Sequence, residues 1–301
     1  VINKEVINKA VMNKTTLIKK LNAYKRLMRL DKPEGILLLL WPTLWGLILA
    51  GGGHPNWQVA CIFIVGVVLM RSAGCVMNDI ADRHYDGRVE RTKLRPIVSG
   101  EVSVKEALLL ASGLSLVAFG FVCFLNTLTV LLSIAALFLA VTYPLTKRFV
   151  AIPQAYLGVA FGFGIPMAFA AIQNHIPLVA WLLLVANILW AIAYDTEYAM
   201  VDREDDAKIG IQSSALFFGE YDVLAIMVCY IAMLSMFAYV GKLMAFGPIY
   251  FLGLVVALGL AVRQYKMIRT RVKANYFKAF LANNWIGFTV LLSMVAAYLM
   301  P

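Results

Sequence analysis

Charge is what this chain has least of. Charged residues make up 15% of its 301 positions and hydrophobic ones 61%, which is too thin a polar skin for a soluble domain of this size. Cysteine is sparse as well: Cys61, Cys75, Cys123 and Cys229 include no CxxC pair. Neither a disulfide frame nor a thiolate zinc site is therefore expected. The three histidines, His54, His84 and His175, are too dispersed for a zinc centre. No apolar run precedes Ile36, and the first 32 residues carry nine Lys/Arg, so no cleavable signal peptide is expected. Alternating hydrophobicity is missing too, which argues against a membrane barrel.

What remains is a series of long, continuous apolar runs. They predict an all-α polytopic membrane protein with about nine transmembrane helices. The spans fall at about 34–51, 57–78, 106–125, 128–145, 154–173, 177–195, 221–240, 247–262 and 281–300. Residues 1–23 read as a variable Lys-rich tail with a crude repeat (Val1-Ile-Asn-Lys, Val6-Ile-Asn-Lys, Val11-Met-Asn-Lys). Residues 24–301 read as one membrane domain with cap loops at about 79–105 and 196–220. Gly158, Gly162 and Gly164, with Pro153 and Pro166, allow close approach and a bend in the fifth span.

This division sorts the charges. Of 27 Lys/Arg, Lys242 alone falls on the side opposite the N-terminus. The positive-inside rule makes the charged face cytoplasmic, with a cytoplasmic N-terminus and a periplasmic C-terminus in a bacterial inner membrane. A mitochondrial inner membrane is the alternative, although the Lys-rich opening does not look like an Arg-rich transit peptide. The formal net charge of +10 needs no nucleic acid to explain it, because membrane lipid headgroups and the positive-inside bias account for it.

Two acid-rich segments lie on that charged face, after the second and sixth spans. If helical, Asn78, Asp82 and Asp86 share one face by i,i+4 spacing, with Asp79 beside them. Tyr198, Asp202 and Asp206 do the same, and Asp195 lies about two turns earlier. Carboxylates at a membrane face are costly unless used. Two such groups suit a diphosphate held through Mg²⁺, which takes one or two protein carboxylates per ion and fills its shell from phosphate and water. The plain alternative is a solvated loop whose acids and bases pair with each other.

Basic residues accompany the acids. Arg71 lies inside the end of an apolar run, and either pairs with an acid or reaches a phosphate. Tyr143-Pro-Leu-Thr-Lys147-Arg148 ends the fourth span. It reads either as an interfacial tyrosine with a topology-setting basic pair or as a site for a carboxylate or phosphate.

The stretch Arg71 to Gly100, with Asn-Asp-x-x-Asp-x-x-x-Asp followed by Arg91-Thr-x-x-Arg95-Pro, resembles the first aspartate-rich motif of the UbiA superfamily of intramembrane prenyltransferases. Asp202 to Asp206, within Tyr194-Asp-Thr-x-Tyr-Ala-Met-x-Asp-Arg, resembles the second. Leu30-Asp-Lys-Pro-x-Gly35, Leu40-Trp-Pro-Thr-Leu-Trp-Gly46 and Tyr143-Pro-x-x-Lys-Arg148 are similar to the 4-hydroxybenzoate polyprenyltransferase branch. The resemblance implies nine helices around a cavity open laterally to lipid. It implies Asn78, Asp82 and Asp86 on a first Mg²⁺ and Asp202 and Asp206 on a second, with Asp79 and Tyr198 in the same motifs. The substrates would be a polyprenyl diphosphate and 4-hydroxybenzoate, prenylated meta to its carboxylate on the way to ubiquinone. Arg148 is the expected carboxylate anchor, with Tyr143 close by and Lys147 as the competing assignment; Arg71 and Arg83 are expected on the diphosphate.

Superfamily members with menaquinone, haem or lipid-ether acceptors would share the acidic motifs and differ around Tyr143 to Arg148. A cation-coupled secondary transporter would place its acids near mid-membrane between inverted repeats, whereas here they crowd one face. A scaffolding protein has no need of two acid clusters. No motif encodes the prenyl length or the oligomeric state.

Overall fold

The computed structural model describes residues 17–88 and 92–300. The N-terminal repeat and Arg91 lie outside the described residues. Among those described, every regular element is helical: α1 (17–27), α2 (Glu34–Ala50), α3 (Trp57–Asp86), α4 (Val104–Val122), α5 (Thr127–Thr146), α6 (Pro153–Gly162), α7 (Gly164–Gln173), α8 (Leu178–Ile209), α9 (Ser214–Phe218), α10 (Asp222–Leu243), α11 (Pro248–Ile268) and α12 (Lys273–Leu299). With α6 and α7 counted as one span, and α9 joined to α10, 8 segments are long and apolar enough to cross a membrane. The 17-residue α2 is apolar and shorter; adding it gives the expected nine.

Local chemistry sets the helix ends. Asn56 accepts from Gln58 N at 2.8 Å to start α3, and Ser103 and Glu106 form a reciprocal capping box at α4. The fifth span breaks at Phe163 into α6 and α7, where Pro166 has no N–H to continue the ladder. The glycines on either side are needed for contact. A Cβ on Gly162 would lie 2.6 Å from Asn187 Nδ2, and one on Gly164 2.5 Å from Thr43 Oγ1.

Two boundaries differ from the sequence reading. Helices α3 and α8 do not end where their apolar runs do; they continue to Asp86 and Ile209, so the start of the first expected cap loop and more than half of the second are helix. No proline or glycine interrupts either extension before Gly87 and Gly210, and Gly210 takes the left-handed conformation at φ 73°. At the other end, α1 starts within the expected tail. Its Ala23 and Leu27 are buried against Val76, Ile80, Val102 and Ala107, so the chain already packs on α3 and α4 there.

The core sits between α2, α8, α10 and α12. Trp45 and Trp190 are fully buried with ring centroids 5.3 Å apart. Their N–H groups donate to Gly287 O at 3.1 Å and to Asn283 Oδ1 at 3.0 Å, which lets two large rings be buried without an orphaned donor. Helices α4 and α5 turn Leu109, Leu131 and Phe138 outward, as lipid-facing helices should.

Candidate active site

Because α3 and α8 stay helical past their apolar runs, each carries its acids on a defined face. Asp79 is 1% exposed and ion-paired to Arg29 at 2.9 Å and Arg95 at 3.0 Å. Asp86 binds the same Arg95 at 2.6 Å. One turn back, Asp82 Oδ2 accepts from Lys147 Nζ at 3.2 Å, and that ammonium also donates to Asn78 Oδ1 at 3.1 Å. The first acidic segment therefore makes two cation clamps, Asp79–Arg95–Asp86 and Asn78–Lys147–Asp82.

Lys147 reaches this position because α5 ends at Thr146 and leaves it as the C-cap, where a cation is favoured by the helix dipole. It also lies 5.5 Å from the Tyr143 ring centroid. Burial alone would lower its pKa, but the Tyr143 hydroxyl and the Asp82 carboxylate outweigh it and hold it above the ordinary lysine value. A backbone bond from Gln212 N to Lys147 O at 2.8 Å ties the segment after α8 to this corner.

On α8, Asp195, Tyr198, Asp202 and Asp206 line the same space as the α3 acids. Tyr198 packs on Phe280 with centroids 4.9 Å apart. Arg203 points away from that space, to fully buried Asp222 at 2.5 Å, and Arg271 closes on the same carboxylate at 2.6 Å. This three-residue latch joins the acidic end of α8 to α10 and to the α11–α12 turn.

The shared space is a cavity of about 740 Å³, well within the range of ligand sites. Its polar end holds Asn78, Asp82, Asp202, Asp206 and Lys147; its other end is walled by Phe63, Leu116, Phe119, Ile134 and Leu137. That apolar end lies among α3, α4 and α5, the last two of which face lipid.

Of the residues singled out in the sequence, Arg71, Asn78, Asp79, Asp82, Asp86, Tyr143, Lys147, Tyr198, Asp202 and Asp206 all line the cavity. Arg83 and Arg148 do not. Arg83 folds back to Ile80 O at 2.8 Å on the exposed side of α3. Arg148 reaches Ala81 O at 3.1 Å and lies over Tyr85, outside the cavity wall. One residue of helix phase separates it from Lys147, and that is enough to turn it outward. Arg71 donates to Gly35 O at 3.1 Å and to Cys75 Sγ, and its guanidinium lies 5.5 Å from the Phe161 ring centroid. No carboxylate lies within ion-pair distance of it among the described residues.

Sequence reasoning missed Arg29. It sits in the left-handed region at φ 57° and reaches Asp79 across 50 positions of sequence. Its place beside Leu30-Asp-Lys-Pro was the only signal available.

The Mg²⁺ expectation can be tested against these donors. Asn78, Asp82, Asp202 and Asp206 offer hard oxygens, and the Asn78–Asp82 pair already coordinates a cationic group, the Lys147 ammonium. Among the described residues no three acidic, histidine or cysteine side chains converge on one point. That suits an ion sharing its shell with phosphate and water, and does not suit one caged by protein.

Residues 39–292 match the UbiA prenyltransferase family. The chain is 62% identical over 282 residues to a 4-hydroxybenzoate octaprenyltransferase of Methylobacillus flagellatus, covering 94% of this chain and 95% of that one. It is 58% identical over 284 residues to a protein of the same name from Nitrosospira multiformis, covering 94% and 98%. An apo UbiA homolog from Aeropyrum pernix K1 superposes with a TM-score of 0.77 at 25% identity, covering 88% of this chain and 98% of that one. A UbiA homolog from Archaeoglobus fulgidus bound to GPP and Mg²⁺ superposes with a TM-score of 0.67 at 20% identity, covering 90% and 99%, and shows likeness of fold.

Proposed function

The chain belongs to the UbiA prenyltransferase family, and from that premise we propose how its cavity carries out the reaction of its relatives. It is a multi-pass membrane enzyme that transfers a polyprenyl group from an allylic diphosphate to 4-hydroxybenzoate. The observation that supports this most is the cavity itself: two acid groups at one end, an apolar passage toward lipid at the other.

The diphosphate occupies the polar end, where Lys147 and Arg95 supply positive charge. Asn78, Asp82, Asp202 and Asp206 would hold Mg²⁺, which when bound neutralises the diphosphate and makes it a better leaving group. Asp79 and Asp86 act differently, by holding Arg29 and Arg95 in place. The isoprenoid tail runs along Phe119, Ile134 and Leu137. The aromatic rings of Tyr143, Tyr198 and Phe280 face the allylic carbon, favour its developing positive charge and keep water from quenching it.

The acceptor needs a cation for its carboxylate. Arg148 is outside the cavity, and Lys147 stands at the polar end assigned to the diphosphate, beside Asn78 and Asp82. Arg71 lines the cavity with no ion pair among the described residues, on the face of α3 below Asn78, and we assign the carboxylate to it. The ring carbon ortho to the hydroxyl then lies against the allylic carbon. It forms the C–C bond as the C–O bond to diphosphate breaks, and its proton leaves to restore aromaticity. The acidic ends of α3 and α8 face the cytoplasm, following the distribution of Lys/Arg.

The test is prenyl transfer by full-length protein in lipid, with and without Mg²⁺, beside Asp82→Asn and Asp202→Asn. The expected result is metal-dependent C-prenylated product, lost by about 100-fold or more in both variants. Diphosphate consumption without prenylation of this acceptor would mean a different acceptor. Absence of diphosphate binding by folded protein would overturn the enzyme reading.

A further inference from the structure

The site has a second layer. On α3, Arg71 stands seven positions before Asn78; on α8, Asp195 stands seven positions before Asp202. Seven helical residues rise about 10 Å and return to within about 20° of the same face. The unbroken helices α3 and α8 thus repeat the facing pair one level deeper in the membrane. The upper level sets the Asn78 amide against the Asp202 carboxylate. The lower one is a cation against an acid, and both residues line the cavity.

Asp195 is the residue that the diphosphate reading leaves without work. Among the described residues no cation lies within ion-pair distance of it, although Asp79, Asp82 and Asp86 all have one. The groups that act on it are Lys147 and Tyr143 on α5, Gln154 on α6, Arg71 on α3, and Asp202 further along α8. Beside it the buried Tyr194 hydroxyl has no hydrogen-bond partner, so this stretch of wall holds an unpaired donor as well as an acid without an ion pair. Such groups are costly in a membrane unless a ligand uses them.

The acceptor has opposite ends that match this layer: a carboxylate, and para to it a phenol hydroxyl. We propose that Asp195 is the general base for that hydroxyl, with the carboxylate on Arg71. This rests on the acceptor assignment made above. As the ring carbon bonds to the allylic carbon and diphosphate departs with the C–O electron pair, the phenol proton passes to the Asp195 carboxylate. The product of this step is a neutral cyclohexadienone. The ring-carbon proton then leaves to the departing diphosphate, the ring rearomatises, and Asp195 returns its proton to the oxygen. Taking the proton in step with bond formation avoids a full positive charge on the ring in a dry, apolar site.

The experiment compares wild type with Asp195→Asn, full length in lipid vesicles with Mg²⁺, on 4-hydroxybenzoate across pH 7 to 9. Asp195→Asn should lower kcat for C-prenylation by about 100-fold or more, with KM for the prenyl diphosphate changed much less. Its residual rate should climb with pH as the phenol ionises unaided, and the wild-type rate should not follow that climb. 3-Fluoro-4-hydroxybenzoate, whose phenol ionises more readily, should narrow the gap between the two proteins. If diphosphate KM rises in step with the loss of kcat, Asp195 belongs to the diphosphate layer and the proposal fails. An equal deficit at every pH and with both acceptors also overturns it, because that is what a merely structural role gives. A wild type that consumes diphosphate but never prenylates 4-hydroxybenzoate overturns the underlying reading instead.

Discussion

Replacing Asp222 by alanine should loosen the acidic end of α8 without touching the cavity. Asp222 is 0% exposed, and its carboxylate receives Arg203 at 2.5 Å, Arg271 at 2.6 and 2.8 Å, and the Val223 amide at 2.6 Å. Removing one member of a buried ion pair costs about 3–5 kcal/mol, because the partner stays buried without compensation. Here the lower end applies. The Arg271 side chain is 44% exposed and can regain water, and it keeps Glu220 O at 2.9 Å. Arg203 keeps Ala215 O at 2.6 Å and Gly219 O at 2.8 Å. The expected loss is therefore about 3 kcal/mol, read by reversible unfolding in mixed micelles through the buried tryptophans. Since Arg203 follows Asp202 directly, KM for the diphosphate should also rise several-fold, reflecting misplacement. In an Arg271→Ala background the cost of Asp222→Ala should shrink by about 1 kcal/mol or more. A loss below about 0.5 kcal/mol, or an identical loss in both backgrounds, would refute the latch.

Lys147 and Arg148 should separate sharply. Lys147→Gln should cut kcat/KM by about 10- to 100-fold, the worth of a charged hydrogen bond, whereas Arg148→Ala should stay within about threefold of wild type in steady-state assays of the same membranes. Lys147 has its pKa raised in the folded protein, so its stabilising contribution is complete below the ordinary lysine value and is lost only as pH rises through the higher folded one. The melting difference between wild type and Lys147→Gln should accordingly stay constant from pH 6 to 9 and narrow only in stronger base. Glu197 is 0% exposed and bonded by Tyr230 at 3.1 Å and Asn283 at 2.8 Å, with no cation beside it among the described residues. Glu197→Gln preserves that shape and should cost under about 1 kcal/mol, while Glu197→Ala leaves a buried cavity and takes one bond each from Tyr230 and Asn283, which keep their mutual bond at 2.7 Å and Ala279 O at 3.1 Å, and should cost about 2–3 kcal/mol; equal losses on thermal unfolding would show that the network does not matter.

Sequence periodicity was enough for the membrane class, the span count and the clustering of acids on one face. Each of these depends on a local property: run length, the spacing of Asn78, Asp82 and Asp86, and the one-sided placement of Lys/Arg. It also marked the break in the fifth span, since Pro166 removes a donor from its own backbone. Tertiary structure alone decided which cation faces which acid. Lys147 and Arg148 are neighbours of similar charge, and only the phase at the end of α5 sends one to Asp82 and the other to Ala81 O. Arg29 meets Asp79 because α1 folds back onto α3, a contact no local pattern encodes. The partners of the α3 acids have the same origin: Asp82 and Asp86 are alike in sequence, yet one meets Lys147 at the end of α5 and the other meets Arg95, which arrives on a loop. Spacing along a helix fixes which way a side chain points, but what it meets there depends on packing from distant parts of the chain.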